Sequence, residues 1–537
     1  MKKNIKVCSA LVFLFICIFF FWFISNDIFL GDDALFLTNC LTEGGKFNFD
    51  GMLSVLIAHL FSKDLPLLLH IHPHCFSMTA GAFIRAFDVS LLCIILSFFL
   101  FNGRTKNINF PIAIIFSAAY FCYACSNIDF KYLNPNNIPS YELTGSFIFL
   151  TEYAEHFGQL FNLILGLIFL YILIEYFSQN NIPSNKFISI FSVFAFITAM
   201  SSMFVSIVCG TVLISIYLYL TISNYVANKK IFLDTDRIIY LPLISYIFGM
   251  ICFSFYPGYL NFFANDINFI NFSKTIFNTY FVTNCLEFSL IIILSSVLYF
   301  LALNKSMFIK RTIFCVLAVI TGAVIYFYLF SKLNNNIALF LTESQVIFRL
   351  LLLALIYLLF GACLREHTSE PKELKILSVL FITVLTSFIL IQLPMIMSTM
   401  KIWRTMSNES KLTTYCIEKM YRFYSLRNKT ALLPDDSLLK IFKISIFLDD
   451  KNIDTDEDIN NKTFIKNSTF TDSYYKIFYK NPNIVAYKFI NPKLALKIFF
   501  EEGGMIDAEE IKHINFQKLY DDKFVLNRAI IKSRYDN

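Results

Sequence analysis

The run Val7–Ile24, VCSALVFLFICIFFFWFI, decides the reading of this chain. It carries no charge and is long enough to cross the hydrocarbon core of a bilayer. Lys2, Lys3 and Lys6 precede it, and basic residues stay on the cytoplasmic side. No small-x-small cleavage pattern follows; Phe21-Trp22-Phe23-Ile24-Ser25-Asn26 reads as the end of an uncleaved anchor. The chain therefore leaves this run on the opposite face. There it presents Gly31-Asp32-Asp33-Ala34-Leu35-Phe36, two adjacent carboxylates beside a membrane exit. Ionised groups are costly to hold so near hydrocarbon, and they need a reason. A carboxylate in this position can act as a general base on a hydroxyl or bind a divalent ion. It also fits a cap on a juxtamembrane helix.

Working outward, the same pattern recurs along the chain. Apolar spans are expected at 83–101, 111–124, 161–177, 238–255, 288–303, 312–330, 349–363 and 376–397. The run 187–222 is too long for one crossing, so it divides near Ser201-Ser202 into two helices joined by a tight external turn. Basic residues cluster at 2–6, 104–106, 186, 229–237, 305–311 and 365–375. Eleven crossings, N-terminus inside and C-terminus outside, put every one of these clusters in the cytoplasm. The external segments are then 27–80, 125–157, 256–287 and 331–348.

Composition agrees: 57% of residues are hydrophobic and only 16% charged, which points to an integral membrane protein. The charge is uneven. Residues 401–537 hold 42 of the 84 Lys, Arg, Asp and Glu, which divides a membrane domain, 1–400, from a soluble external domain. That tail reads as a small α/β unit, with helical spacing over Ser410–Tyr424 and short strands at 430–434 and 484–489. The net charge of +6 is modest and gives no sign of a nucleic-acid partner.

Candidate chemistry collects on the external face. Five of the seven histidines lie in the first two external segments, including His70, His72 and His74, whose alternation could bring them to one side of an extended metal-binding stretch, although Pro73 interrupts it. Such residues more often line a polar loop or contact headgroups. Glu152, Glu155 and His156 fall within about one helical turn before the fourth span and can share a face. Lys131, Arg85 and Arg349 are external-side cations. Arg349 stands where an external segment enters an apolar helix, so its fork could take a phosphate or simply snorkel to headgroups. Cys40 and Cys75 share one external segment and could pair; Cys122-x-x-Cys125 ends the third span and reads as helix packing. No Walker loop, dinucleotide fingerprint or sizeable cytoplasmic segment is present, so a nucleotide-dependent reaction is not expected.

An acidic pair directly after the first helix of a polytopic chain resembles the GT-C superfamily, glycosyltransferases with lipid-phosphate sugar donors. Within it the layout is most similar to the bacterial serotype-converting O-antigen glucosyltransferases. The resemblance covers the layout of the whole chain but one short motif only. It implies an inner-membrane enzyme of inverting type that moves a sugar, glucose by analogy, from a polyprenyl phosphate to a lipid-linked glycan on the periplasmic face. Asp33 or Asp32 would be the base. Arg349, Glu152, Glu155, His156, Lys131 and Arg85 would bind substrate, and a divalent metal is a further option. An O-antigen polymerase or ligase is the nearest alternative. A polysaccharide or lipid transporter is the third, and transporters carry ionisable residues at mid-membrane, where these spans are expected to be nearly uncharged.

Overall fold

Away from water, a backbone must satisfy its own amides and carbonyls, and a helix does so within one segment. The computed structural model follows that rule almost throughout. It describes residues 2–24, 82–101, 109–124, 154–179, 184–229, 237–254, 284–301, 307–331, 337–366, 379, 383–394, 397, 420, 423–424, 426–427, 431–434, 487–490 and 498–505. The helices are α1 (Lys2–Ile24), α2 (Ala82–Phe101), α3 (Asn109–Ala124), α4 (Ala154–Gln179), α5 (Asn185–Ala199), α6 (Met203–Asn228), α7 (Arg237–Ser254), α8 (Cys285–Leu301), α9 (Met307–Ser331), α10 (Ile337–Glu366) and α11 (Thr383–Pro394). Among the described residues each expected span has an apolar helix at its position. Four of them, in α4, α6, α9 and α10, are long and apolar enough to cross a membrane outright.

The long run 187–222 divides where expected. Ser202 caps α6, its hydroxyl accepting from the Val205 amide at 3.3 Å, which satisfies a donor that the helix start leaves orphaned. Ser201 donates to the Thr198 carbonyl at 2.6 Å, and the Ser206 hydroxyl reaches back to the Ala199 carbonyl. Three hydroxyls thus answer the polar groups exposed at the break. Elsewhere Ser90, Ser97, Ser117, Thr211 and Thr312 donate to carbonyls four residues earlier on their own helices, so they sit in apolar surroundings without an unmet donor.

Helix α10 is the hub. Its segment Val346–Cys363 is buried throughout, and it packs against α2, α3, α8 and α9. At its far end Gly361 crosses α2 so closely that a Cβ would collide with the Leu100 carbonyl. Gly249 on α7 similarly meets the Phe196 carbonyl and Ala199 of α5, where a Cβ would lie 2.7 and 2.8 Å away. Small residues at crossings are how membrane helices approach without a hydrophobic drive between them. The outer faces are apolar as well. Val7, Leu11, Leu14, Phe15 and Ile18 on α1 are exposed, as are Leu241, Ile244, Ile247, Phe248 and Ile251 on α7. Both sets recur at helical spacing, a stripe that water would penalise and lipid would not.

The orientation of the helices follows from ring contacts. Phe21 of α1 meets Phe83 of α2, and Phe20 meets Phe121 of α3. The C-terminal ends of α1 and α3 and the N-terminal end of α2 therefore share one end of the bundle. Phe98 of α2 packs on Phe110 of α3 toward the other end.

In the tail, β1 (Ala431–Pro434) and β2 (Tyr487–Ile490) pair in parallel, Ala431 opposite Tyr487 and Pro434 opposite Ile490. β1 lies within the expected stretch 430–434, and β2 overlaps only the end of the expected 484–489, running on to Ile490. Phe423 and Phe499 meet edge to face at 5.1 Å, and Arg427 lies over Phe423 while donating to the Glu502 carbonyl at 2.8 Å. Gly503, with φ +85°, follows the helical turn at 498–501, in a backbone region that suits glycine. Burial raises the Tyr424 phenol well above its ordinary range; Glu502 acts in the same direction and Arg427 opposes. Most of the expected Ser410–Tyr424 helix lies outside the described residues.

Candidate functional site

Two helix ends face each other in the bundle with opposite charges placed against them. Helix α3 finishes at Tyr123-Ala124, whose carbonyls have no partner within the helix. Helix α8 begins at Cys285, with Asn284 before it and Glu287 in its first turn. Arg349 of α10 bridges the two. Its Nε donates to Asn284 Oδ1 at 3.0 Å, and NH1 donates to the Tyr123 and Ala124 carbonyls at 3.3 and 3.4 Å. The guanidinium also lies over the Tyr123 ring, 4.6 Å from its centre. A cation at a helix C-terminus and an acid at a helix N-terminus both complement the macrodipole. That arrangement accommodates two ionisable groups where Arg349 is 2% and Glu287 1% exposed.

Tyr120 donates to Glu287 Oε1 at 3.1 Å. Among the described residues Glu287 Oε2 has no hydrogen-bond partner. Tyr123 stands beside the same carboxyl, within hydrogen-bonding reach of it. Phe388 of α11 closes the group, stacked on Tyr120 at 5.7 Å and edge-on to Tyr123 at 5.4 Å. About two turns deeper, the Tyr357 hydroxyl donates to the Ala113 carbonyl at 3.2 Å beside Ser117.

Arg349 is placed differently from expectation. Helix α10 starts at Ile337 rather than at Arg349, so much of the expected external segment 331–348 is helical. Thr342-Glu343-Ser344-Gln345 is polar but contains good helix formers; hydropathy finds where the apolar stretch begins, not where the helix does. At least two of the guanidinium's nitrogens are engaged by protein rather than presented to a phosphate. Arg311 repeats the device at the other end of the bundle: NH1 donates to the Phe177 carbonyl near the end of α4 at 2.8 Å, and the guanidinium lies over the Phe177 ring.

A second ionisable group sits inside a helix expected to be uncharged. Asp88 of α2 is 5% exposed, and its Oδ2 has no hydrogen-bond partner among the described residues. Twelve residues separate Asp88 from Leu100, and twelve separate Arg349 from Gly361, about 18 Å along either helix. Because Gly361 crosses at Leu100, Asp88 and Arg349 lie at about the same depth. Reading the sequence missed both Asp88 and Glu287, although each was visible as an acid within or beside an apolar run, the signal that marks intramembrane function.

Of the other candidates, Arg85 lies in the first turn of α2, and Glu155 and His156 lie in the first turn of α4, which begins at Ala154, earlier than the expected 161. Their side chains lie outside the described set, as do Asp32, Asp33, His70, His72, His74, Lys131, Glu152, Cys40, Cys75 and Cys125 altogether. Cys122 is a buried free thiol on α3, consistent with a packing residue. Among the described residues no group of His, Cys, Asp and Glu is arranged to hold a metal.

No family model matches the chain, and no curated protein or solved structure matches it either.

Proposed function

We propose that this helical membrane protein is an inverting glycosyltransferase that takes a sugar, glucose by analogy, from a polyprenyl-phosphate donor. The observation that carries the reading is the acidic pair Asp32-Asp33, placed eight and nine residues beyond the end of α1 at Ile24. The C-terminal end of α1 belongs to the end of the bundle where Glu287 and Arg349 also stand.

In the proposed reaction an acceptor hydroxyl attacks the anomeric carbon. Its proton passes to Asp33, with Asp32 as the alternative base, while the bond between the anomeric carbon and the phosphate oxygen breaks and the lipid phosphate leaves with the electron pair. Arg349, held by Asn284 and the α3 carbonyls, supplies a fixed positive field for the departing phosphate rather than a free fork. Lys131, Arg85, Glu152, Glu155 and His156 bind donor or acceptor, with His70, His72 and His74 as the stretch to test for a metal. The proposal includes eleven crossings, a bacterial inner-membrane location with the N-terminus in the cytoplasm, and residues 401–537 as a periplasmic α/β domain. The acceptor is a lipid-linked surface glycan, and a polymerase or ligase differs in transferring a whole glycan. Supplying membranes that contain the protein with different labelled polyprenyl-phosphate sugars, and following label into the glycan, tests the reaction. Transfer of preassembled glycan alone would select the polymerase or ligase.

Asp88 favours a second reading. A carboxylate buried in an apolar helix is what a transporter would place on an ion or substrate path. Ion-dependent lipid or polysaccharide flux in proteoliposomes, abolished by Asp88→Asn and independent of Asp32 and Asp33, would replace the enzyme by a transporter.

A further inference from the structure

We infer that Glu287 reads the sugar of the donor, its Oε2 accepting hydrogen bonds from sugar hydroxyls; this rests on the glycosyltransferase reading. The carboxylate is oriented before any ligand arrives, because Tyr120 donates to Oε1 at 3.1 Å and the residue opens α8 from a fixed first turn. Its second oxygen has no hydrogen-bond partner among the described residues, although the side chain is 1% exposed. Buried polar atoms are normally paired, and an exception asks for an explanation. An open oxygen on a buried carboxyl group that is already held in place is an acceptor waiting for a donor.

The chemistry around it selects the donor group. A divalent cation is disfavoured by the Arg349 guanidinium, whose charge reaches the same two tyrosines that flank Glu287. An anion is disfavoured by the carboxylate itself. Neutral hydroxyls, which can only donate to a carboxylate, suit both neighbours.

A site built to hydrogen-bond a hydroxyl discriminates strongly against an analogue that lacks it. The experiment uses the full-length protein in nanodiscs and two probes: a short-chain polyprenyl phosphate carrying glucose, and the same lipid phosphate without sugar. The wild type should bind the glucose-bearing lipid at least about tenfold more tightly, the scale of one hydrogen bond to a charged group. Glu287→Gln keeps the shape and should abolish most of that preference while leaving binding of the bare lipid phosphate unchanged. Tyr120→Phe, which frees Oε1 without touching the acid, should weaken the preference part-way, and it decides the matter if Glu287→Gln does not accumulate. Full preference in both variants would overturn this role for Glu287 and leave the enzyme reading standing. Failure of the wild type to bind either lipid would overturn both together.

Discussion

Replacing Arg349 with lysine keeps the charge and removes the planar fork. In the structure the guanidinium works in two directions, toward Asn284 Oδ1 at 3.0 Å and toward the Tyr123 and Ala124 carbonyls at 3.3 and 3.4 Å. An ammonium is a compact donor and can serve one side only. Hydrogen bonds to charged groups contribute about 1.5–3 kcal/mol each, and a buried acceptor left alone adds its desolvation penalty. The attraction to the Tyr123 face survives in part. The expected loss for Arg349→Lys is therefore about 2 kcal/mol, measured by denaturant titration of the protein in mixed micelles. Arg349→Met, which abandons every acceptor, should lose more, about 3–5 kcal/mol by analogy with broken buried ion networks. A double-mutant cycle with Asn284→Ala should return a coupling of about 1 kcal/mol or more between the two residues. Wild-type stability in Arg349→Lys, with no coupling to Asn284, would refute the bridge between α3, α8 and α10. If donor use fell while stability held, the fork would belong to the phosphate instead.

Two further outcomes follow from the packing and the order of the helices. Gly361→Val should destabilise by about 3 kcal/mol or abolish accumulation, because even its Cβ overlaps the Leu100 carbonyl and backbone cannot step aside cheaply; normal yield and stability would mean that α2 and α10 do not cross there. Reporter fusions after Arg104, Lys230, Arg311 and Lys372 should read cytoplasmic, and those after Asp50, Asn136, Asn271 and Asn452 periplasmic, so a cytoplasmic signal at Asn452 would remove the eleven-crossing arrangement.

The fold was legible wherever one local rule was sufficient. Apolar runs mark α1 through α11, and the break at Ser201-Ser202 could be seen because a run of that length cannot cross once and two serines offer a cap. The β1 and β2 stretches were visible as short runs of β-forming residues, while their parallel pairing depends on partners far apart in sequence. The site was legible only in part. Arg349 stood out as a cation in an apolar setting, but its partners are two carbonyls on α3 and the side-chain amide just before α8, contacts that no local pattern encodes. Glu287 was taken as the end of a loop because the first turn of a helix is as polar as the segment before it. Asp88 was passed over because one acid in an apolar helix barely moves an average, yet burial makes that single acid the costly one.

The central claim, that an acidic side chain just beyond α1 removes the proton in glycosyl transfer, is tested most directly by exchanging that pair for asparagine. Asn nearly matches Asp in shape but cannot take a proton at neutral pH. Asp33→Asn, Asp32→Asn and the double variant are compared in membranes at equal protein level, following labelled sugar from polyprenyl-phosphate glucose into the glycan. The account predicts a loss of about 10²-fold or more at one of the two positions, Asp33 first because Asp32 is the better placed cap. Undiminished transfer by the double variant would contradict it.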